Sequence, residues 1–146
     1  MHISQSLVRS LTEEVLLEAA QRLRAAKTLI IPPTVFIFKN GKILYEKPLP
    51  EDAEEVKQRI KDIINTDKSE PDVYVLVANV KTQIDNKKQD NAIMVHGASI
   101  EWGRSILLPI SLTKKKKEVK LGDPILLEEN EVSFFDDIWL DKILFN

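Results

Sequence analysis

The chain has few side chains able to do chemistry: two histidines, no cysteine and four glycines, among 21 basic and 23 acidic residues in a total of 146. The lack of cysteine removes thiol nucleophiles, redox pairs, thiolate metal sites and disulfides together. A two-histidine site would have to recruit His2, beside the first methionine, to partner His96. His96 alternates onto one strand face with Ala92, Met94, Ala98 and Ile100. There a partly buried imidazole is expected to bond backbone or water. A serine–histidine relay would need a hydroxyl in reach and a carboxylate to orient the ring, and the sequence spacing supplies neither. His96 with Asp85, Asp90 or Glu101 matches no ligand spacing, so neither metal nor cofactor is expected. If a small-molecule pocket exists, it is expected between the sheet and the first helix, using Asp85, Asp90, His96 and Arg104.

Three further stretches carry functional groups. The 83–91 segment, QIDNKKQDN, is rich in oxygen ligands but lacks the glycine and terminal glutamate of a calcium loop, so it reads as a solvated connection. GASIEWGRS, residues 97–105, resembles a phosphate loop only on the surface. Five residues instead of four separate its glycines, Arg104 replaces the lysine, and no helix follows. Lys114, Lys115, Lys116 and Lys117 form the one basic run. They could touch phosphates, but no aromatic stacking platform is interleaved, so nucleic-acid binding ranks below a solvated turn.

The charge arithmetic singles out the C-terminal segment. Overall the chain is −2, with 43% apolar and 30% charged residues, the profile of one soluble globular domain. Residues 128–146 hold six acids against Lys142 and are therefore −5, which leaves +3 on the rest. The same segment is apolar, with Phe134, Phe135, Ile138, Trp139 and Ile143, and positions 135, 138, 139 and 142 or 143 fit one helical face. Left exposed, it would be an aggregation hazard. It is expected to dock either on its own sheet or on a second subunit or partner.

The elements that must position these groups follow from periodicity. Val8, Leu11, Val15, Ala19, Leu23 and Ala26 predict an amphipathic helix over about 5–28, stopped by Pro32-Pro33. Thr34 to Phe38, Asn40-Gly41 and Ile43 to Glu46 predict a β-hairpin. An acidic start at Glu51-Asp52 and the stripe Val56, Ile60, Ile63 and Ile64 predict a second helix over 51–65. Strands follow at 73–80, 92–100, 105–112, 118–121 and 125–127, with the tail beginning at Glu128. The expectation is an α+β fold of order α-β-β-α-β-β-β-β. It has a mainly antiparallel sheet of five to six strands, with helices on one side.

The segment IPPTVFIFKNGKILYE and the acidic-start helix after it resemble the final hairpin and helix of thioredoxin. The resemblance spans residues 31–65 and would make Pro33 the cis-proline that faces a redox dithiol. This chain has no CxxC motif, and residues 72–146 have no counterpart, so redox activity is not implied. Catalysis is disfavoured throughout, except that two carboxylates brought together by folding would leave no spacing to read. The reading is a non-catalytic accessory or regulatory module acting through protein contacts and self-associating, possessing no apolar run able to span a membrane. The cytosol is its expected compartment.

Overall fold

A computed structural model describes residues 5–83 and 89–130. Helix α1 (Gln5–Ala26) is 22 residues long. It closes where Lys27 takes a left-handed φ of 53° and the Thr28 amide donates back to the Leu23 carbonyl at 3.2 Å. This six-to-one bond satisfies an end carbonyl that the helix cannot. The hairpin follows as β1 (Thr34–Lys39) and β2 (Lys42–Pro48), joined by Asn40 and Gly41 at φ 52° and 78°. Two consecutive positive φ angles give the turn the twist that the flanking strands require. Helix α2 (Ala53–Thr66) is capped by Asp52, whose carboxylate accepts from the Glu54 and Glu55 amides at 3.0 and 3.1 Å.

The remaining elements are β3 (Val73–Gln83), β4 (Gln89–Ala98), β5 (Gly103–Leu112), β6 (Val119–Leu121) and β7 (Ile125–Asn130). They complete a seven-stranded antiparallel sheet of order β2-β1-β3-β4-β5-β6, with β7 beside β5. The α+β class is as the periodicity predicts, but the sheet has seven strands where five to six were expected, and the boundaries differ most in two places. The β3–β4 ladder runs on to Gln83 and Gln89, into the polar stretch expected to be a connection. Strand β7 continues to Asn130, past the point where the tail was expected to begin. In both places backbone pairing carries the strand beyond its apolar residues.

The helices lie on opposite faces of the sheet, not on one side. Strand β3 is apolar at every position from Val73 to Val77, so both of its faces need cover. Helix α1 packs its Val8, Leu11, Val15, Ala19 and Leu23 on Phe36, Val75, Val77, Ile93 and Val95. Helix α2 packs Val56, Ile60, Ile63 and Ile64 on Val35, Ile37, Tyr74, Leu76 and Ala98. The hairpin and the helix expected over residues 31–65 are therefore present. No peptide bond among the described residues is cis, so Pro33 lacks the conformation that the resemblance implies.

One point fixes the height of α1 above the sheet. A Cβ on Gly97 of β4 would lie 2.4 Å from Oγ1 of Thr12, a fully buried residue whose hydroxyl donates to the Val8 carbonyl at 2.5 Å. The helix can approach β4 this closely only over a glycine. Gly97→Ala is expected to destabilise the protein by about 1–3 kcal/mol, as overpacking does. Urea unfolding measures this, with an unchanged slope indicating that the loss is one of native packing.

Candidate binding cleft

The α2 face carries a large concavity. An open cleft of about 1230 Å³ lies at one end of the sheet, walled by Thr28 to Pro33, Leu49 to Pro50, Ala53 and Val56 of α2, Leu76 to Lys81 of β3 and Met94 of β4. It opens beyond the end of α1, whereas the space between α1 and the sheet is filled by buried side chains. The pocket expected under the first helix is thus displaced to the linker that follows it.

Two structural causes produce the cleft. The first is a mismatch of strand lengths. Strand β1 pairs with β3 only from Val73 to Val77, so from Ala78 to Gln83 β3 pairs with β4 alone among the described residues. The second is the path of the 29–31 linker, pinned by Asn79. The Ile31 amide donates to Asn79 Oδ1 at 2.6 Å, and Asn79 Nδ2 donates to the Leu29 carbonyl at 2.7 Å. With the linker held there, Ile31 is buried and Ile30 projects outward at 75% exposure. The charged residues in its lining are Lys27, Lys81 and one acid, Glu51.

The residues singled out in the sequence do not converge on this cleft. His96 is opposite Leu76 and Ser105 in the ladders, on the α2 face, and is 1% exposed. Its Nδ1 lies 2.6 Å from Ser105 Oγ, so cross-strand pairing supplies the hydroxyl that spacing along one strand did not. Burial pushes the imidazole pKa down to about 4. Arg104 projects to the opposite face, where it pairs with Glu13 at 3.1 Å and reaches the Arg9 carbonyl. Its neighbour Glu129 accepts from Gln5 and Arg9, and the Arg9 guanidinium holds that carboxyl below the usual carboxylate range. Arg104 is accordingly a bracket between α1 and the β5–β7 edge, not a ligand beside His96.

Asp85 lies outside the described residues, and Asp90 pairs with Thr82 at the far end of the β3–β4 ladder. No cluster of His, Cys, Asp and Glu suited to a metal occurs among the described residues. Lys114 to Lys117 are exposed in the β5–β6 turn, which closes through Thr113 bonding the Glu118 and Lys117 amides. Phe134, Phe135, Ile138, Trp139 and Ile143 lie outside the described residues. No helix among the described residues is long and apolar enough to cross a membrane. No family model, curated protein or solved structure matches this chain.

His96 makes stability depend on pH in a window of its own. Its folded-state pKa is about 4, below the 6.5 of an unfolded chain, so the unfolded state takes up the proton first. The stabilising contribution is complete above pH ~6.5 and is lost as pH falls toward 4, by up to about 3 kcal/mol. Urea midpoints should therefore fall between pH 7 and pH 5, above the range in which carboxylates titrate. In His96→Gln this dependence should flatten.

Proposed function

We propose that the protein is a non-catalytic binding module that takes up an extended, apolar segment of a partner protein flanked by acidic residues. The observation carrying this reading is that, among the described residues, β3 runs past the end of β1 along an apolar cleft. A strand with one unpaired side presents a row of backbone donors and acceptors, the template used in strand addition. Among the described residues the row runs along the cleft from Ala78 to Lys81, with Leu49, Val56 and Met94 also in its lining. Two other features favour a segment of chain over a compact small molecule. The volume exceeds the usual range for small-ligand pockets, and the cleft is partly open to solvent. Lys27 and Lys81 against Glu51 favour acidic flanks. Assignment to the cytosol is part of the proposal and rests on the sequence reading.

A peptide-display selection against the intact protein tests the reading. Enriched peptides should be apolar in alternation and rich in Asp and Glu, and binding should protect backbone amides between Ala78 and Lys81 from hydrogen exchange. Lys27→Glu combined with Lys81→Glu should weaken them at least tenfold. Peptides that bind without this protection, or with equal affinity for the charge-reversed protein, would contradict it.

Self-association is a second reading, favoured by a specific feature: Ile43 and Leu44 are 54% and 39% exposed on the edge strand β2. Pairing of two β2 edges would cover both. Light scattering should then show a mass that rises with concentration in the micromolar range and reverts to monomer in Ile43→Lys.

A further inference from the structure

The cleft does not stop at β3 and Met94. Its lining continues to Asn91 and to Leu112 of β5, which is 40% exposed. Val80 pairs with Ala92 and Ala92 with Pro109, so Leu112, three residues on, stands level with Gln83. Thr113 follows, and then Lys114 to Lys117. Thr113 holds these lysines in one short turn. Its amide donates to the Glu118 carbonyl at 2.9 Å, its carbonyl accepts from the Lys117 amide at 3.0 Å, and its hydroxyl oxygen accepts from the Glu118 amide at 3.0 Å. Lys117 completes the turn at a φ of 52°. All four lysines are exposed, and none forms an ion pair among the described residues. Like charges crowded on one turn repel each other, and a run of carboxylates relieves that repulsion.

Charge is divided unevenly about the cleft. Glu51, Asp52, Glu54 and Glu55, all exposed, gather at the start of α2. The Leu49 amide donates to the Pro33 carbonyl at 2.8 Å, which ties that start to the level of Thr34 and therefore of Val77 in β3. At the rise of an extended strand, Lys81 lies about 13 Å and the level of Leu112 about 20 Å farther along the sheet. An acidic pole and a basic pole therefore mark the two ends of the length that an added strand would cover.

We infer, resting on the reading of the cleft as a site of strand addition, that the Lys114–Lys117 turn is the second half of that site and receives a run of consecutive carboxylates on one side only of the partner's apolar segment. The apolar residues cover Leu49, Val56 and Met94, while the acidic run leaves the cleft past Lys81 and Leu112 and ends on the turn. The start of α2 repels acids at the opposite end, so the two ends of the bound segment are not equivalent. The partner is a chain in which an acidic run adjoins an alternating apolar one. A nucleic acid fits less well, because the lining of the cleft contains no aromatic side chain on which a base could stack.

The test uses the full chain and two labelled peptides of one composition, an alternating Val-Thr block joined to a block of glutamates at its N-terminal end in one and at its C-terminal end in the other. Fluorescence anisotropy should show one order binding at least tenfold more tightly. A variant carrying Lys114→Gln, Lys115→Gln, Lys116→Gln and Lys117→Gln should lose that preference and flatten the salt dependence of binding, while hydrogen-exchange protection between Ala78 and Lys81 persists. Equal affinity for the two orders, or a preference unchanged in the variant, with the protection still present, would overturn the inference and leave the reading of the cleft standing. No binding of either peptide and no protection would overturn both. An oligonucleotide that binds the protein as tightly as the preferred peptide, and loses that binding in the same variant, would overturn the inference in favour of a nucleic-acid surface.

Discussion

The structure depends on the burial of β3 from both sides. Val73, Tyr74, Val75, Leu76 and Val77 are each at most 3% exposed, and adjacent residues of a strand point to opposite faces. A sheet with such a strand near its centre cannot leave a face to solvent. The chain meets this demand with one helix before the hairpin and one after it, placed on opposite faces. At roughly 1.5–3 kcal/mol per fully buried aliphatic side chain, these five residues and the two helical stripes set the order of magnitude of the stabilising term.

The two layers are unequal, and the inequality generates the functional features. Helix α1 has 22 residues, crosses β3, β4 and β5, and is tied at both ends to edge strands. Near its start Arg9, Glu13, Arg104 and Glu129 join it to β5 and β7. Toward its end Arg22 holds Glu46 of β2 in a two-pronged pair at 2.8 and 2.9 Å while stacking over Phe36. Such exposed pairs contribute little energy individually, about 0–1 kcal/mol, but they define where the helix lies. Helix α2 has 14 residues and covers one part of its face. Beyond its N-terminal end lies the cleft.

The architecture was legible wherever local chemistry and tertiary demand agree. Asn40-Gly41 marks the hairpin turn, Asp52 marks the start of α2, and the stripe from Val8 to Leu23 marks the buried side of α1. Placement of the two helices on opposite faces was implicit in the unbroken apolar run of β3, but a neighbour's coverage is not written in any single segment. The cleft was hidden for the same reason. It arises because β1 is shorter than β3 and because the Asn79 side chain captures a linker 48 residues away, a contact with no sequence signature. His96 lies on an apolar strand face as expected, but it is fully buried and not partly so, and its Nδ1 meets a side-chain hydroxyl in place of the backbone or water expected. Its partner Ser105 depended on the β4–β5 register, and Arg104, adjacent in sequence to Ser105, falls on the other face.

The central claim is that both faces of the sheet are covered, down to the surroundings of His96 on β4. The His96 imidazole reports this directly, since it is buried on the α2 face and burial opposes its protonation. Nuclear magnetic resonance titration of its ring protons in the intact protein is the decisive measurement. The account predicts that the ring stays neutral through pH 6 and titrates near pH 4, or only as the fold is lost. A reversible titration at the ordinary value near 6.5, with the fold intact, would show that water reaches His96 and would contradict it.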